Sequence, residues 1–187
     1  MPSKKDLPGE ISIDGFDHIE FYVGNARQAC YYYHRGFGFD VIAYRGLETG
    51  CRDSISYVLK QNHVQLVLTG ALGHDHPITS HVSKHGDGVR AIGLRVQDCR
   101  TAYETAVSRG AESITEPSVI QDANGIFIQA EVKTYGDTIH RFIERHNYRD
   151  SFAPGFKNLQ ITGGGLALHY VDHVVGNVEV NGQLSQR

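Results

Sequence analysis

The stretch that decides the fold is residues 16–25, FDHIEFYVGN, together with the segment that follows it. Residues 16–23 alternate between apolar and polar side chains, which predicts a strand that Gly24-Asn25 would end. Apolar residues at spacings of three and four then predict a helix from Ala26 to Arg35. Asn25 is a candidate N-cap for this helix and Gly36 a candidate C-terminal breaker.

Three β-type runs follow this helix. They cover Phe39–Tyr44, Asp53–Lys60 and His63–Thr69, and Gln61-Asn62 is predicted to be the two-residue hairpin turn between the last two. Residues 16–69 therefore form a β-α-β-β-β unit.

The same order of elements returns after residues 70–88, which read as a loop rich in Gly, His and Ser. A strand at residues 89–96 is followed by a helix that Asp98 caps and that runs to about Arg109. Two copies of one unit predict a pseudo-twofold α+β domain. The remaining strands of the second copy are predicted at Ala111–Ile114, Ile126–Thr134 and Thr138–Glu144.

The domain boundaries follow from this repeat. We expect an N-terminal arm at residues 1–15, a domain at 16–150 and a Gly- and Pro-containing linker at 151–167. Residues 168–187 then open the pattern a third time, since YVDHVVGN at 170–177 matches the opening strand with its Gly-Asn stop. This segment is predicted to be the first strand of a second domain.

Composition excludes several classes of protein. The 187 residues carry 18 Lys and Arg against 21 Asp and Glu, so neither a basic excess nor a basic patch indicates a nucleic-acid partner. No apolar run reaches the ~18 residues of a membrane span, and residues 1–10 lack the apolar core of a secretory signal. An odd set of three cysteines, without a C-x-x-C pair, favours a reducing, cytoplasmic location.

Five stretches carry a resemblance to a known family. They are YVGNA at 22–26, AYRGLETG at 43–50, KHGDGV at 84–89, TYGDT at 134–138 and VDHVVGN at 171–177. The chain resembles the N-terminal half of 4-hydroxyphenylpyruvate dioxygenases, from about residue 16 to its end.

The resemblance implies a fold, a metal and a reaction. Members of that family have two vicinal-oxygen-chelate domains, each made of two β-α-β-β-β units. One Fe(II), held by two His and one Glu of the C-terminal domain, converts 4-hydroxyphenylpyruvate and O2 into homogentisate and CO2. Hydroxymandelate synthase, a close relative, hydroxylates the side chain of the same substrate. The implied partners are therefore a small 2-oxo acid and O2.

Only one iron ligand of that family has a counterpart in this chain. His173 matches the first iron-binding His, and we expect a chain that ends at Arg187 to be inactive alone, with neither a catalytic nor a cofactor-binding residue of its own. In the first domain the corresponding positions are His18, Ala91 and Arg141. Because an Arg opposes metal binding and a 2-His-1-carboxylate site needs three ligands, we expect no iron site there. His18, beside Asp17, is expected to be hydrogen-bonded and structural.

Other interpretations stay open at this stage. The chain could be a hydroxymandelate synthase-like oxygenase, a non-catalytic assembly module that forms a homo-oligomer, or a stand-alone protein with its own ligand pocket. Zinc binding is a further alternative for four loop histidines, although the sequence offers no H-x3-H on a clear helix and adventitious nickel or zinc binding is the stronger expectation. These histidines are His74, His76, His81 and His85.

Overall fold

A computed structural model describes residues 11–176. Nine strands and three helices follow one another in the order that the sequence predicts, with one additional helix and one additional strand. The first unit comprises β1 (Ile13–Tyr22), α1 (Ala26–Phe37), β2 (Asp40–Arg45), β3 (Ser54–Gln61) and β4 (Val64–Ala71). The rest comprises α2 (Pro77–His85), β5 (Gly88–Val96), α3 (Cys99–Ser108), β6 (Ser113–Asp122), β7 (Gly125–Lys133), β8 (Ile139–Glu144) and β9 (Lys157–Ile161).

All nine strands form one mixed sheet in the order β6-β7-β8-β5-β1-β4-β3-β2-β9. The first strands of the two units, β1 and β5, lie antiparallel at its centre. Each of them pairs in parallel with the last strand of its own unit, β1 with β4 and β5 with β8. The predicted pseudo-twofold pair of β-α-β-β-β units is confirmed.

One face of the sheet carries α1 and α3. Ala26 and Cys30 of α1 are buried in a core with Leu59 and Leu68, while Cys99 and Ala102 of α3 are buried with Ala130 and Phe142. The apolar spacing predicted for α1 is confirmed, since its buried residues, Ala26 and Cys30, lie on one face. No helix in the described residues is long and apolar enough to span a membrane.

The predicted helix starts are confirmed by their caps. Asn25 Oδ1 accepts a hydrogen bond from Gln28 N at 3.0 Å, and Asp98 Oδ1 accepts one from Thr101 N at 2.9 Å. The predicted end of α1 at Gly36 is wrong. The helix continues to Phe37 because Gly38, with φ of 70°, supplies the left-handed residue that ends it.

The loop predicted at residues 70–88 contains α2, which is a correction. Pro77 is the first residue of this helix, where its missing N–H costs nothing, and His76 Nδ1 accepts a hydrogen bond from Ile78 N at 3.1 Å. One helix therefore carries His81 and His85 one turn apart, so an H-x3-H pair on a helix does exist.

The linker predicted at residues 151–167 is also corrected. Residues 157–161 form β9, which pairs with β2 through Val41 and Ile161, and Phe152 is buried beneath it with Ala43 and Val67. These segments extend the domain beyond residue 150. At the other end β1 begins at Ile13, inside the predicted arm.

Smaller corrections concern strand ends. β6 runs to Asp122, well past the predicted Ile114, and is interrupted by register shifts near Pro117. The first hairpin turn is Asn62-His63, one residue later than predicted, with Asn62 at φ of 52°. Residues 162–176 contain no helix or strand, so the predicted strand at 170–177 is not formed in its described part, and Asn177 lies outside the described residues.

Candidate functional site

The sheet face opposite α1 and α3 encloses a cavity of about 400 Å³, and Ile78 of α2 contributes to its lining. Successive side chains of a strand point to opposite faces, so Ile19 packs under α1 while His18 and Glu20 line the cavity. Strands from both units contribute lining residues, among them Arg45 of β2 and Arg141 of β8. The sheet therefore curves around the cavity.

A continuous row of hydrogen bonds forms the polar floor of this cavity. Ser56 Oγ and Thr69 Oγ1 lie 3.0 Å apart, and Thr69 Oγ1 donates to Glu20 Oε1 at 2.7 Å. Arg141 continues the row, since its Nη1 donates to Glu20 Oε2 at 2.8 Å and its Nε donates to Glu131 Oε1 at 2.7 Å. Five strands, β3, β4, β1, β8 and β7, are joined by these side chains.

A second charged cluster surrounds Asp17, whose side chain is fully buried. Asp17 Oδ1 accepts hydrogen bonds from His18 Nδ1 at 2.8 Å and from Arg145 Nη2 at 2.7 Å, and Arg95 lies 3.4 Å from Oδ2. The Arg145 guanidinium also stacks on the rings of Phe127 and Phe152, at 5.2 and 4.9 Å. This cluster ties β1 to the segment after β8.

The surrounding charges keep both buried carboxyl groups ionised. Burial by itself raises the pKa of Asp17, but the hydrogen bond from His18 and the charge of Arg145 outweigh it and lower the pKa to about 2. Burial opposes ionisation of Glu20 in the same way, and the charge of Arg141 lowers the pKa of Glu20 below its usual value. These carboxylates in turn raise the pKa of Arg141.

His18 is hydrogen-bonded on both ring nitrogens, as expected for a structural residue. Because Asp17 is ionised, Nδ1 carries the proton that Asp17 accepts. Arg141 Nη1 lies 3.4 Å from Nε2 and can only donate, so Nε2 keeps its lone pair. Nε2 of His18 therefore faces a guanidinium.

The strand register corrects one predicted ligand position. His18 pairs with Gly93 on β5, and Gly93 pairs with Arg141 on β8. Gly93, two residues beyond the predicted Ala91, therefore lies between the other two positions. Ala91 is fully buried. Neither residue offers a ligating atom in its side chain.

The residues of this cavity do not fit an iron site. Of its three ligand positions one is a His, one has no side chain, and the third, Arg141, is a cation held by Glu20 and Glu131. A guanidinium at this point repels a divalent metal and occupies the carboxylates that could bind one. Within residues 11–176, no group of three His, Cys, Asp or Glu side chains is arranged to hold a metal.

His173 lies apart from the cavity on the segment that follows β9. Its side chain is 73% exposed, and its Nδ1 lies 2.7 Å from Asp172 Oδ2, which reproduces the contact between His18 and Asp17. Of the four loop histidines, the structure brings together only His81 and His85, whose ring centroids are 4.7 Å apart.

Sequence reasoning missed most of the cavity. Arg45, Arg145 and the Ser56–Thr69 pair come from separate segments of the chain, and no spacing along the sequence links them.

The fold and the position of the cavity define a class of protein, the vicinal-oxygen-chelate proteins. A 4-hydroxymandelate synthase from Streptomyces coelicolor, solved as a triple mutant, matches with a TM-score of 0.68 and 30% identity over 79% of this chain and 42% of its own. Methylmalonyl-CoA epimerase from Mycobacterium tuberculosis shares the fold at 18% identity, with a TM-score of 0.56 over 71% of this chain and 88% of its own.

A narrower family within this class also matches the chain. The model described as "Hydroxyphenylpyruvate dioxygenase, HPPD, N-terminal" matches residues 8–155, and the chain belongs to that family. Among similar relatives, the 4-hydroxyphenylpyruvate dioxygenase of Danio rerio is 41% identical over 93% of this chain and 46% of its own length. That of Dictyostelium discoideum is 40% identical over 88% and 47%. The chain thus spans about half the length of these relatives.

Proposed function

We propose that this chain is the non-catalytic N-terminal half of a 4-hydroxyphenylpyruvate dioxygenase. The complete enzyme would use Fe(II) and O2 to convert 4-hydroxyphenylpyruvate into homogentisate and CO2, a reaction of tyrosine catabolism. Family membership over residues 8–155 and 39–41% identity to dioxygenases of three organisms support this activity. The free thiols of Cys30, Cys51 and Cys99 support a cytoplasmic location.

One observation carries the non-catalytic role of the domain: the buried ion pairs of Arg141. In the duplicated unit a carboxylate ligand would stand where Arg141 bridges Glu20 and Glu131. The domain therefore contributes a folded partner for a catalytic domain and no chemistry of its own. Its boundaries, proposed from the sequence as 16–150, are extended by β9 to at least Ile161.

His173 is the residue that we propose as the first iron ligand of the complete enzyme. Its contact with Asp172 fixes Nδ1 as the proton donor and leaves the Nε2 lone pair free for a metal. His18 has the same contact with Asp17, but its Nε2 faces Arg141. The two Asp-His pairs therefore differ in what stands opposite Nε2.

The gene sequence beyond codon 187 is the first test. An open frame that encodes a further His and then a Glu on predicted strands would support the dioxygenase. In the product of that frame, we expect His173→Ala to abolish homogentisate formation and His18→Gln to retain it, with circular dichroism to show that both variants are folded. Equal loss in both variants, or none in His173→Ala, contradicts the assignment.

Two further functions remain as alternatives. A hydroxymandelate synthase-like reaction has the weaker support of 30% identity to the Streptomyces coelicolor enzyme, and product analysis separates hydroxymandelate from homogentisate. A homo-oligomeric assembly module is supported by exposed aromatic side chains on α1, Tyr31 and Tyr32, at 66% and 60%. A stable dimer in sedimentation, together with a stop codon after Arg187, would favour the module.

A further inference from the structure

The cavity on the open face of the sheet has a surplus of hydrogen-bond donors that the proposed reaction does not use. Three guanidinium groups line it, those of Arg45, Arg141 and Arg145, against the two carboxylates of Glu20 and Asp53. Such a surplus of cationic donors in a concave site favours an anionic ligand.

Both carboxylates are already engaged by neighbouring donors. Glu20 accepts hydrogen bonds from Thr69 and Arg141, one on each oxygen. Asp53 Oδ1 accepts from Cys51 Sγ at 3.2 Å and from Ser54 Oγ at 2.9 Å. Neither carboxylate is hydrogen-bonded to Arg45.

Arg45 is the uncommitted cation of the site. Its guanidinium makes no hydrogen bond or ion pair with any residue between 11 and 176. The side chain is nevertheless held in place, because Arg45 is half-buried at the end of β2, pairs in register with Ser56, and has its Cδ next to Gly155. Arg141 adds a second donor, since its Nη2 has no partner in the same part of the chain.

Apolar and largely aromatic side chains form one part of the cavity wall. Phe127, Phe152 and Phe156 line it, with the rings of Phe152 and Phe156 at 5.0 Å in an edge-to-face contact. Val67, Ile78, Ile120, Ala153 and Pro154 also line it. A volume of about 400 Å³ lies within the range of small-molecule sites.

We propose that this cavity binds a small carboxylic acid with a ring-sized apolar body. Its carboxylate would pair with Arg45, and its apolar body would lie among the phenylalanine rings. Fixed donors on strands need little reorganisation to receive an anion, while the apolar walls disfavour a small, fully hydrated one. The site needs no metal and is separate from the iron site proposed for the catalytic half.

Calorimetry of the 187-residue chain with 3-phenylpropionate, in the presence of a chelator, tests this site. We expect saturable one-to-one binding. The neutral amide, 3-phenylpropanamide, and the cation 2-phenylethylamine should each bind at least about tenfold more weakly, because they lack the charge that Arg45 receives. Acetate should also bind at least about tenfold more weakly, because it leaves the apolar walls empty.

Arg45→Gln and Arg52→Gln form a matched pair of variants. Both remove one positive charge, but Arg52 is exposed and lies outside the cavity lining. We expect Arg45→Gln to weaken 3-phenylpropionate binding at least about tenfold and Arg52→Gln to leave it unchanged. Absence of saturable binding, equal binding of acid and amide, or an unchanged affinity in Arg45→Gln would overturn the proposal. Since the assay contains no iron, its failure is distinguishable from failure of the proposed dioxygenase activity.

Discussion

At the scale of single residues, the buried charges of the cavity decide what the domain can do. Arg141 places a cation at a ligand position, where it pairs with Glu20 and Glu131, and its charge lowers the pKa of the buried Glu20. A buried ion pair of this kind adds little net stability, but breaking it leaves a charge unpaired. The residue that removes metal chemistry is thereby also required for the fold.

We expect Arg141→Met to lower the free energy of unfolding by about 3–5 kcal/mol, since the buried Glu20 and the partly buried Glu131 lose their partner. The exposed pair of Arg100 with Glu104, 4.0 Å apart, provides the control. Arg100→Met should cost less than about 1 kcal/mol. Urea unfolding measures both, and equal losses in the two variants would contradict the role assigned to Arg141.

The low pKa of Asp17 makes the free energy of unfolding depend on pH in the acid range. Burial raises this pKa, yet the His18 hydrogen bond and the Arg145 charge bring it from 3.8 to about 2. Because the pKa of Asp17 is lower in the folded than in the unfolded chain, the ionised carboxylate stabilises the fold at pH values above the unfolded pKa. This stabilisation is lost as the pH falls from about 4 towards 2. It amounts to about 2 kcal/mol.

Urea unfolding between pH 7 and pH 2 measures this contribution. In Asp17→Asn the loss of stability below pH 5 should be smaller by about 2 kcal/mol, whatever the stability of the variant at pH 7. An identical pH dependence in the wild type and the variant would rule out Asp17 as its source.

At the scale of elements, hydrophobic periodicity and capping residues predicted the strands and helices more reliably than the connections between them. β1, α1, β5 and α3 follow from their patterns and from Asn25 and Asp98, because these signals are local. α2 could not be predicted from its polar, histidine-rich sequence, since Ile78 is its only buried residue. β9 was not predicted, because its residues are mostly exposed and form a strand only through pairing with β2.

The β6–β7 hairpin depends on one glycine. Gly125 has φ of +125°, and a Cβ at this position would lie 1.8 Å from the carbonyl oxygen of Asn147. We expect Gly125→Ala to destabilise the chain by at least about 2 kcal/mol. Gly36→Ala is the control. A Cβ added at this helical position would meet no atom outside its own helix within 4 Å, so Ala should stabilise the chain by about 0.5–1 kcal/mol. Thermal unfolding measures both variants, and an equal change in Tm in Gly125→Ala and Gly36→Ala would contradict this account.

At the scale of the whole molecule, the duplication of the β-α-β-β-β unit could be predicted from the sequence, whereas the contents of the cavity could not. Repeated signals such as Asp17-His18 and Asp172-His173 are visible along the chain. The cavity instead depends on cross-strand register, which places Gly93 rather than Ala91 beside His18. A shift of two residues keeps the same face of β5 and leaves the hydrophobic pattern unchanged, so the sequence alone does not resolve it.

Homogentisate formation by the purified 187-residue chain, supplied with Fe(II), ascorbate, O2 and 4-hydroxyphenylpyruvate, tests the central claim most directly. The domain offers His18 alone of three ligand positions, with Arg141 against it, so we predict no product above a blank that contains the metal without protein. Product above that blank, lost in His18→Gln, would show a working iron site in this domain and contradict the account.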